Sequence, residues 1–146
     1  MMTTIKEMAA SLVERYATND PKQLCQYLNI EVLNVELPMN VKGFYSYLFG
    51  MQFIYLNCAL TLEEQRVVCA HELGHALLHS RQNSLFLLKN TDFVSNRFER
   101  EADIFSGYLL LDKDTIRESR YYNWTVQQLA AYTGLSDKIV EYCCKN

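Results

Sequence analysis

Five residues, His71-Glu72-Leu73-Gly74-His75, constrain this chain more than any other feature of its sequence. Histidines four apart stand one above the other on a helix, so both imidazoles can reach one ion at about 2.0–2.1 Å. The intervening Glu72 projects from the adjacent face. There it can take a proton from the attacking water without itself holding the metal. The chain has 3 histidines in all, so a chance match to this pattern is rare. The reading as two solvated or core histidines is set aside.

The pattern needs a helix, and its flanks supply one. Thr61-Leu-Glu-Glu64 has the form of a capping box, with Thr61 as N-cap and Glu64 reaching back. Val67, Val68, Ala70, Leu73, Ala76 and Leu77 then carry the helix to about His79. Upstream, residues 3–18 place Ile5, Met8, Ala9, Leu12, Val13 and Tyr16 on one helical stripe. Asp20-Pro21 caps and opens a short second helix through Leu28. Between residues 30 and 57 the period changes to that of strands. Ile30–Val32 with Val35–Leu37 suggest one strand, and residues 43–49 and 51–56 suggest two more, with Gly50 near their turn. Beyond His79 the sequence predicts a loop rich in polar residues and then a helix over about 96–111. Residues 124–142 predict two short helices around Thr133-Gly134. The fold class expected is α+β: a small, mostly antiparallel sheet packed against the motif helix and a second helix bearing a metal ligand.

Two histidines do not complete a catalytic zinc site, which wants a third protein ligand and a water. His79 lies about 80° around the helix and about 12 Å along it from His71, so it is a poor third ligand. It is better suited to a helix C-cap, a satisfied core position or a polar group in the cleft. The better source is Phe98-Glu99-Arg100-Glu101-Ala102-Asp103. Glu99 and Asp103 share one helix face; if Glu99 ligates, Asp103 can accept a hydrogen bond from the free nitrogen of a ligating histidine and fix its tautomer. Residues two apart point about 200° away from each other, so only one of Glu99 and Glu101 faces the metal; the spacing to Asp103 favours Glu99 and leaves Glu101 as the alternative. A solvated acidic helix start, favoured by the helix dipole, is the alternative for this stretch taken alone.

At these residues the sequence resembles the ImmA/IrrE-type metallo-endopeptidases, a gluzincin-like group. The resemblance is carried by HELGHALLH, by EREADIFSGYLLL some two dozen residues later, and by the preceding KGFYSYL and FIYLN, so that it covers about residues 30–111. Ser106 stands where the family commonly has alanine, and Leu111-Asp112 where a proline often follows. The resemblance implies Zn²⁺ held by His71, His75 and Glu99, with Glu72 as general base. It also implies site-specific cleavage of a helix-turn-helix transcriptional repressor, often in bacterial mobile elements. Zinc would polarise the scissile carbonyl while Glu72 passes the water proton to the leaving amine. His79 and Tyr108 are candidate donors to the oxyanion.

Size and charge agree with this reading. The 146 residues fit one domain, with a core at about 30–111 and a helical segment at about 115–146. A formal net charge of −3 gives no basic face for nucleic acid. No apolar run approaches the roughly 18–20 residues of a membrane span, and Lys6, Glu7, Glu14 and Arg15 argue against a signal peptide. The 5 cysteines include no C-x-x-C pair and suit reduced thiols, most of them buried. A cytoplasmic protein with a protein substrate is expected. Two other classes of function remain. One is a zinc-binding regulator that antagonises a repressor without cutting it. The other is a DNA-binding regulator using the glycine turn between residues 125 and 140, although Asp137 and Glu141 there face a single Lys138.

Overall fold

A computed structural model describes residues 3–81 and 93–145. The polar loop expected after His79 falls mainly on residues outside that set. The described elements run in the order α1 (Ile5–Tyr16), α2 (Pro21–Tyr27), β1 (Glu31–Val35), β2 (Gly43–Leu48), β3 (Met51–Asn57), α3 (Leu62–Leu78), α4 (Phe93–Leu110), α5 (Lys113–Tyr121), α6 (Val126–Thr133) and α7 (Asp137–Lys145).

The α+β class holds, and the sheet is mixed. β3 lies in the middle, with β1 parallel on one side and β2 antiparallel on the other. The antiparallel half is local: Phe49 and Gly50, both at positive φ (53° and 76°), make the tight turn that joins β2 to β3. The parallel half pairs Glu31 with Phe53 and Val35 with Asn57. Residues 36–42 cross to the far edge before β2 begins, so the chain returns to β3 in the same direction as β1. Hydrophobic alternation sets which side chains face the core, but not which strand lies beside which.

Helix starts follow the sequence closely. Thr4 with Glu7, Thr61 with Glu64, and Thr125 with Gln128 all form reciprocal capping boxes. Asp20 is the N-cap of α2, with Pro21 at the first helical position, though its side chain makes no cap bond. The second ligand-bearing helix, expected at about 96–111, starts earlier, at Phe93. Helix α5 falls within the helical segment expected from about residue 115, although no separate helix was placed there. It is the most polar of the set and buries only Ser119, so no apolar stripe announces it.

The core is shared by the sheet and by α3 and α4. Tyr45, Ile54 and Leu56 from the strands meet Cys69, Ala70 and Leu73 of α3 and Phe105, Leu109 and Leu110 of α4. Residues 72–76 are buried without interruption, so the middle of α3 is enclosed on all sides, while its first turn is exposed. Side-chain bonds also tie α3 and the residues just after it to the helix and strands around them. Lys22 Nζ donates to Gln65 Oε1 at 2.9 Å, Gln52 Nε2 donates to the Ala76 carbonyl at 2.9 Å, and the Tyr45 hydroxyl donates to the Ser80 carbonyl. Among the described residues no helix is long and apolar enough to cross a membrane.

Candidate metal centre

The position of the centre is set where α3 crosses α4. Gly74 stands between the two motif histidines at this crossing. A Cβ on Gly74 would lie 3.1 Å from the Ala102 Cα and 3.2 Å from the Ala102 carbonyl oxygen. A side chain here would press on backbone atoms and force α4 back by a few tenths of an ångström, so glycine favours this close approach. The close approach brings Glu99 and Asp103, on one face of α4, against His71 and His75 on α3.

Three donor atoms converge there. Glu99 Oε2 lies 2.9 Å from His71 Nε2 and 2.6 Å from His75 Nε2, and the two Nε2 atoms are 3.2 Å apart. Ligands about 2.0–2.1 Å from a tetrahedral ion stand about 3.3 Å from each other, so this triangle is slightly tighter than a zinc site. Two imidazoles and one carboxylate are also the donor set of many catalytic zinc sites. Among the described residues, His71, His75 and Glu99 form the one group of three or more His, Cys, Asp or Glu able to hold a metal ion.

The hydrogen bonds behind these atoms explain their orientation. His71 Nδ1 lies 2.8 Å from Asp103 Oδ1. A carboxylate only accepts, so a proton stands on His71 Nδ1, and the ring turns its other nitrogen toward Glu99, which without an ion accepts from it as well. Burial works against a charged His71, but the bonds to Asp103 and Glu99 outweigh it and raise its pKa well above the usual imidazole value. Burial likewise works against a charged Glu99, and the two histidines more than offset this, holding its carboxyl at about 2. His75 is nearly inaccessible, with 2% of its side chain exposed, whereas Glu99 keeps 35%. The centre is therefore open on the Glu99 side and closed behind His75.

An open cleft of about 380 Å³ leads to it. Its walls include His71, Glu72, Glu99 and Asp103, with Val67, Val68 and Ile139 as apolar sides and Asn40 and Lys42 from the segment before β2. Glu72 is buried yet lines this cleft, beside the convergent donors rather than among them. Ser106 also lines it, its hydroxyl donating to the Asp103 carbonyl at 2.7 Å.

The structure distinguishes the remaining candidates. Glu101 is turned away from the donor triangle and pairs instead with His79, Oε1 to Nε2 at 2.8 Å. His79 is the C-cap of α3 and is buried; burial lowers its pKa despite that carboxylate. Tyr108 lies under the Lys6 ammonium and lines a separate cavity with Trp124 and Cys143. Neither His79 nor Tyr108 lines the cleft, so neither is placed to meet an oxyanion there. Ile139 is the wall residue that the sequence did not signal, since it belongs to α7, far along the chain. The two tail helices pack on the core: Val140 and Cys143 of α7 are buried, while Asp137, Lys138 and Glu141 face solvent. All five cysteines are free thiols, with Cys25, Cys69 and Cys143 buried.

Comparison with known proteins agrees with this geometry. Residues 25–145 match the IrrE N-terminal-like domain, a peptidase family. The chain is 35% identical over 133 residues to a protein of Bacillus phage phi105 named immunity region protein 2, covering 91% of this chain and 84% of that one. It is 25% identical over 140 residues to the metallopeptidase ImmA of Bacillus subtilis (strain 168), covering 94% and 82% respectively.

Proposed function

The chain belongs to the IrrE N-terminal-like family of metallopeptidases, and from that premise we propose that it is a zinc-dependent endopeptidase that cleaves a helix-turn-helix transcriptional repressor. The reading is carried by one observation, the meeting of His71 Nε2, His75 Nε2 and Glu99 Oε2 at the floor of a cleft that Glu72 also lines. In it, His71, His75 and Glu99 hold the ion, Asp103 orients His71, and Glu72 is the general base. When bound, zinc supplies Lewis-acid polarisation of a peptide carbonyl and makes a water acidic near neutral pH.

The chain's own residues have separate tasks. Glu72 accepts the proton of the attacking water and returns it to the departing amine, within a pocket whose buried side limits bulk water. Asp103 keeps His71 in the Nδ1–H tautomer, so the ring offers its lone pair to the ion. Val67, Val68 and Ile139 provide an apolar bed for a substrate side chain, and Asn40 and Lys42 offer polar groups at its edge. The repressor as substrate is supported by the likeness to an immunity region protein of a phage. A cytoplasmic location accords with a repressor target.

The test is co-expression with a candidate helix-turn-helix repressor, following the repressor's length on a gel. Wild type shortens the repressor, and Glu72→Gln leaves it whole while still purifying with about one zinc per chain. Relief of repression by both proteins without shortening would instead establish a regulator that acts by binding.

A further inference from the structure

His71 and His75 are both oriented from behind, but by different means. Asp103 meets His71 directly. Behind His75 stands another imidazole: His75 Nδ1 lies 3.2 Å from His79 Nδ1, and the far nitrogen of His79 lies 2.8 Å from Glu101 Oε1. His79 is held from two further directions. Its backbone N–H donates to the His75 carbonyl at 2.8 Å, and the Phe98 ring packs on it with centroids 4.1 Å apart.

The proton positions along this row follow from the end of the chain inward. The Glu101 carboxylate only accepts, so His79 carries its proton on Nε2 and leaves Nδ1 bare. A bare Nδ1 must accept, so His75 donates from its own Nδ1. The remaining nitrogen of His75, Nε2, is the one that faces Glu99 and His71; the Glu99 carboxylate 2.6 Å away also only accepts, so an ion, when bound, takes the place of a proton on Nε2. Glu101 thus determines, through His79, which nitrogen of a buried ring is available to a metal.

We propose that His79 and Glu101 are positioning residues for the metal centre, a row in which Glu101 fixes the tautomer of His79 and His79 fixes that of His75. This rests on the assignment of His75 as a metal ligand. It gives His79 a function from behind the site, where it touches neither ion nor substrate. It also explains why Glu101, two residues from Glu99 and pointing the other way, is an acidic residue.

The experiment uses the full chain and measures Zn²⁺ affinity by competition with a chromophoric chelator, alongside thermal unfolding of the metal-free protein. Glu101→Ala and His79→Ala are each expected to weaken zinc binding about 10–100-fold. The double variant should be no weaker than His79→Ala alone, because Glu101 acts only through His79. Glu101→Gln should stay within a few-fold of wild type, since an amide oxygen still accepts from His79. His79→Asn should recover most of the loss, its carbonyl oxygen accepting from His75. In spectra of the zinc-loaded protein, the His75 Nδ1 proton should lose its hydrogen-bonded shift in His79→Ala and regain it in His79→Asn, which a purely structural role would not produce. If His79→Ala does not fold, Glu101→Ala carries the test, because 36% of the Glu101 side chain is exposed. Wild-type protein without zinc affinity would defeat the ligand assignment and this row together. Tight wild-type binding with unchanged affinity in Glu101→Ala and in every folded His79 variant would defeat the row alone. Additive losses in the double variant would also overturn it.

Discussion

Two glycines mark the places where α4 meets its neighbours most closely, and they differ in what lies opposite. At Gly74 the neighbours of an added Cβ are backbone atoms of Ala102, at 3.1 and 3.2 Å, and the Phe105 Cβ at 3.2 Å. At Gly107 the collisions are harder, 2.5 Å to Cys143 Sγ and 2.6 Å to Ile139 Cγ2, but they are with side chains of α7. The first contact sets the distance between the helices that carry the five site residues, His71, Glu72 and His75 on α3 and Glu99 and Asp103 on α4. The second seats a tail helix and reaches the site only through Ile139, one wall of the cleft. Closeness alone does not rank the two places. What matters is whether the neighbour can move without moving the donor atoms.

The largest effect expected comes from chemistry at the first place with its packing untouched. Glu72→Gln keeps the shape of the side chain and should lower peptide hydrolysis by about 10²–10⁴-fold, with zinc content and melting temperature near wild type. Loss of zinc in this variant would make Glu72 part of the ion's support and remove its role as base. Next come the glycines themselves. Gly74→Ala should cost about 1–3 kcal/mol of stability, measured by denaturant unfolding of the metal-free protein, and should also weaken zinc binding at least about tenfold. Gly107→Ala should cost a similar amount of stability while leaving zinc affinity nearly unchanged. Equal zinc affinities in the two variants would break the comparison. Smaller again is a difference in thiol reactivity. Burial pushes Cys143 up to about 12 and hides it, so native protein at pH 8 should alkylate Cys58 quickly and Cys143 very slowly. In Gly107→Ala, displacement of α7 should speed the labelling of Cys143. The smallest effect is at the outer face of the tail, where Tyr121 and Tyr132 are 79% and 57% exposed. Changing either to Ser should alter stability by no more than about 0.5 kcal/mol.

Much of the first region was legible in the sequence because its logic is local. Capping boxes involve residues three apart, and the pairs His71–His75 and Glu99–Asp103 are four apart on their helices. Periodicity alone therefore assigns them faces. The meeting of the two pairs was readable only because the resemblance to a known family joined them. The second region was poorly legible. Nothing in a short polar segment such as α5 distinguishes a helix from a loop until its one buried residue has something to pack on. The parallel pairing of β1 with β3, the placement of Ile139 in the cleft wall and the pairing of His79 with Glu101 all depend on the tertiary fold. The spacing of His79 kept it apart from the group His71, His75 and Glu99 and allowed the C-cap and buried position it has, but could not supply its partner on α4. The meaning of Gly74 was hidden as well: inside the motif it reads as a variable position, and the crossing with Ala102 gives the reason for it.

The separation of the donors along the chain has a consequence for how the protein is made. His71 and His75 leave the ribosome 28 and 24 residues before Glu99, a delay of roughly one to six seconds at ordinary rates of synthesis. During that interval the nascent chain offers an ion two imidazoles without the carboxylate that completes the set. The α3–α4 contact must also bear the loop-closure cost of a non-local pairing before its donors meet. With the donor set assigned here, tight capture of metal is postponed until the second helix has docked. A newly made chain therefore has no complete donor set until Glu99 has been added and its helix has docked, and an ion, once held, favours the docked arrangement over the open one.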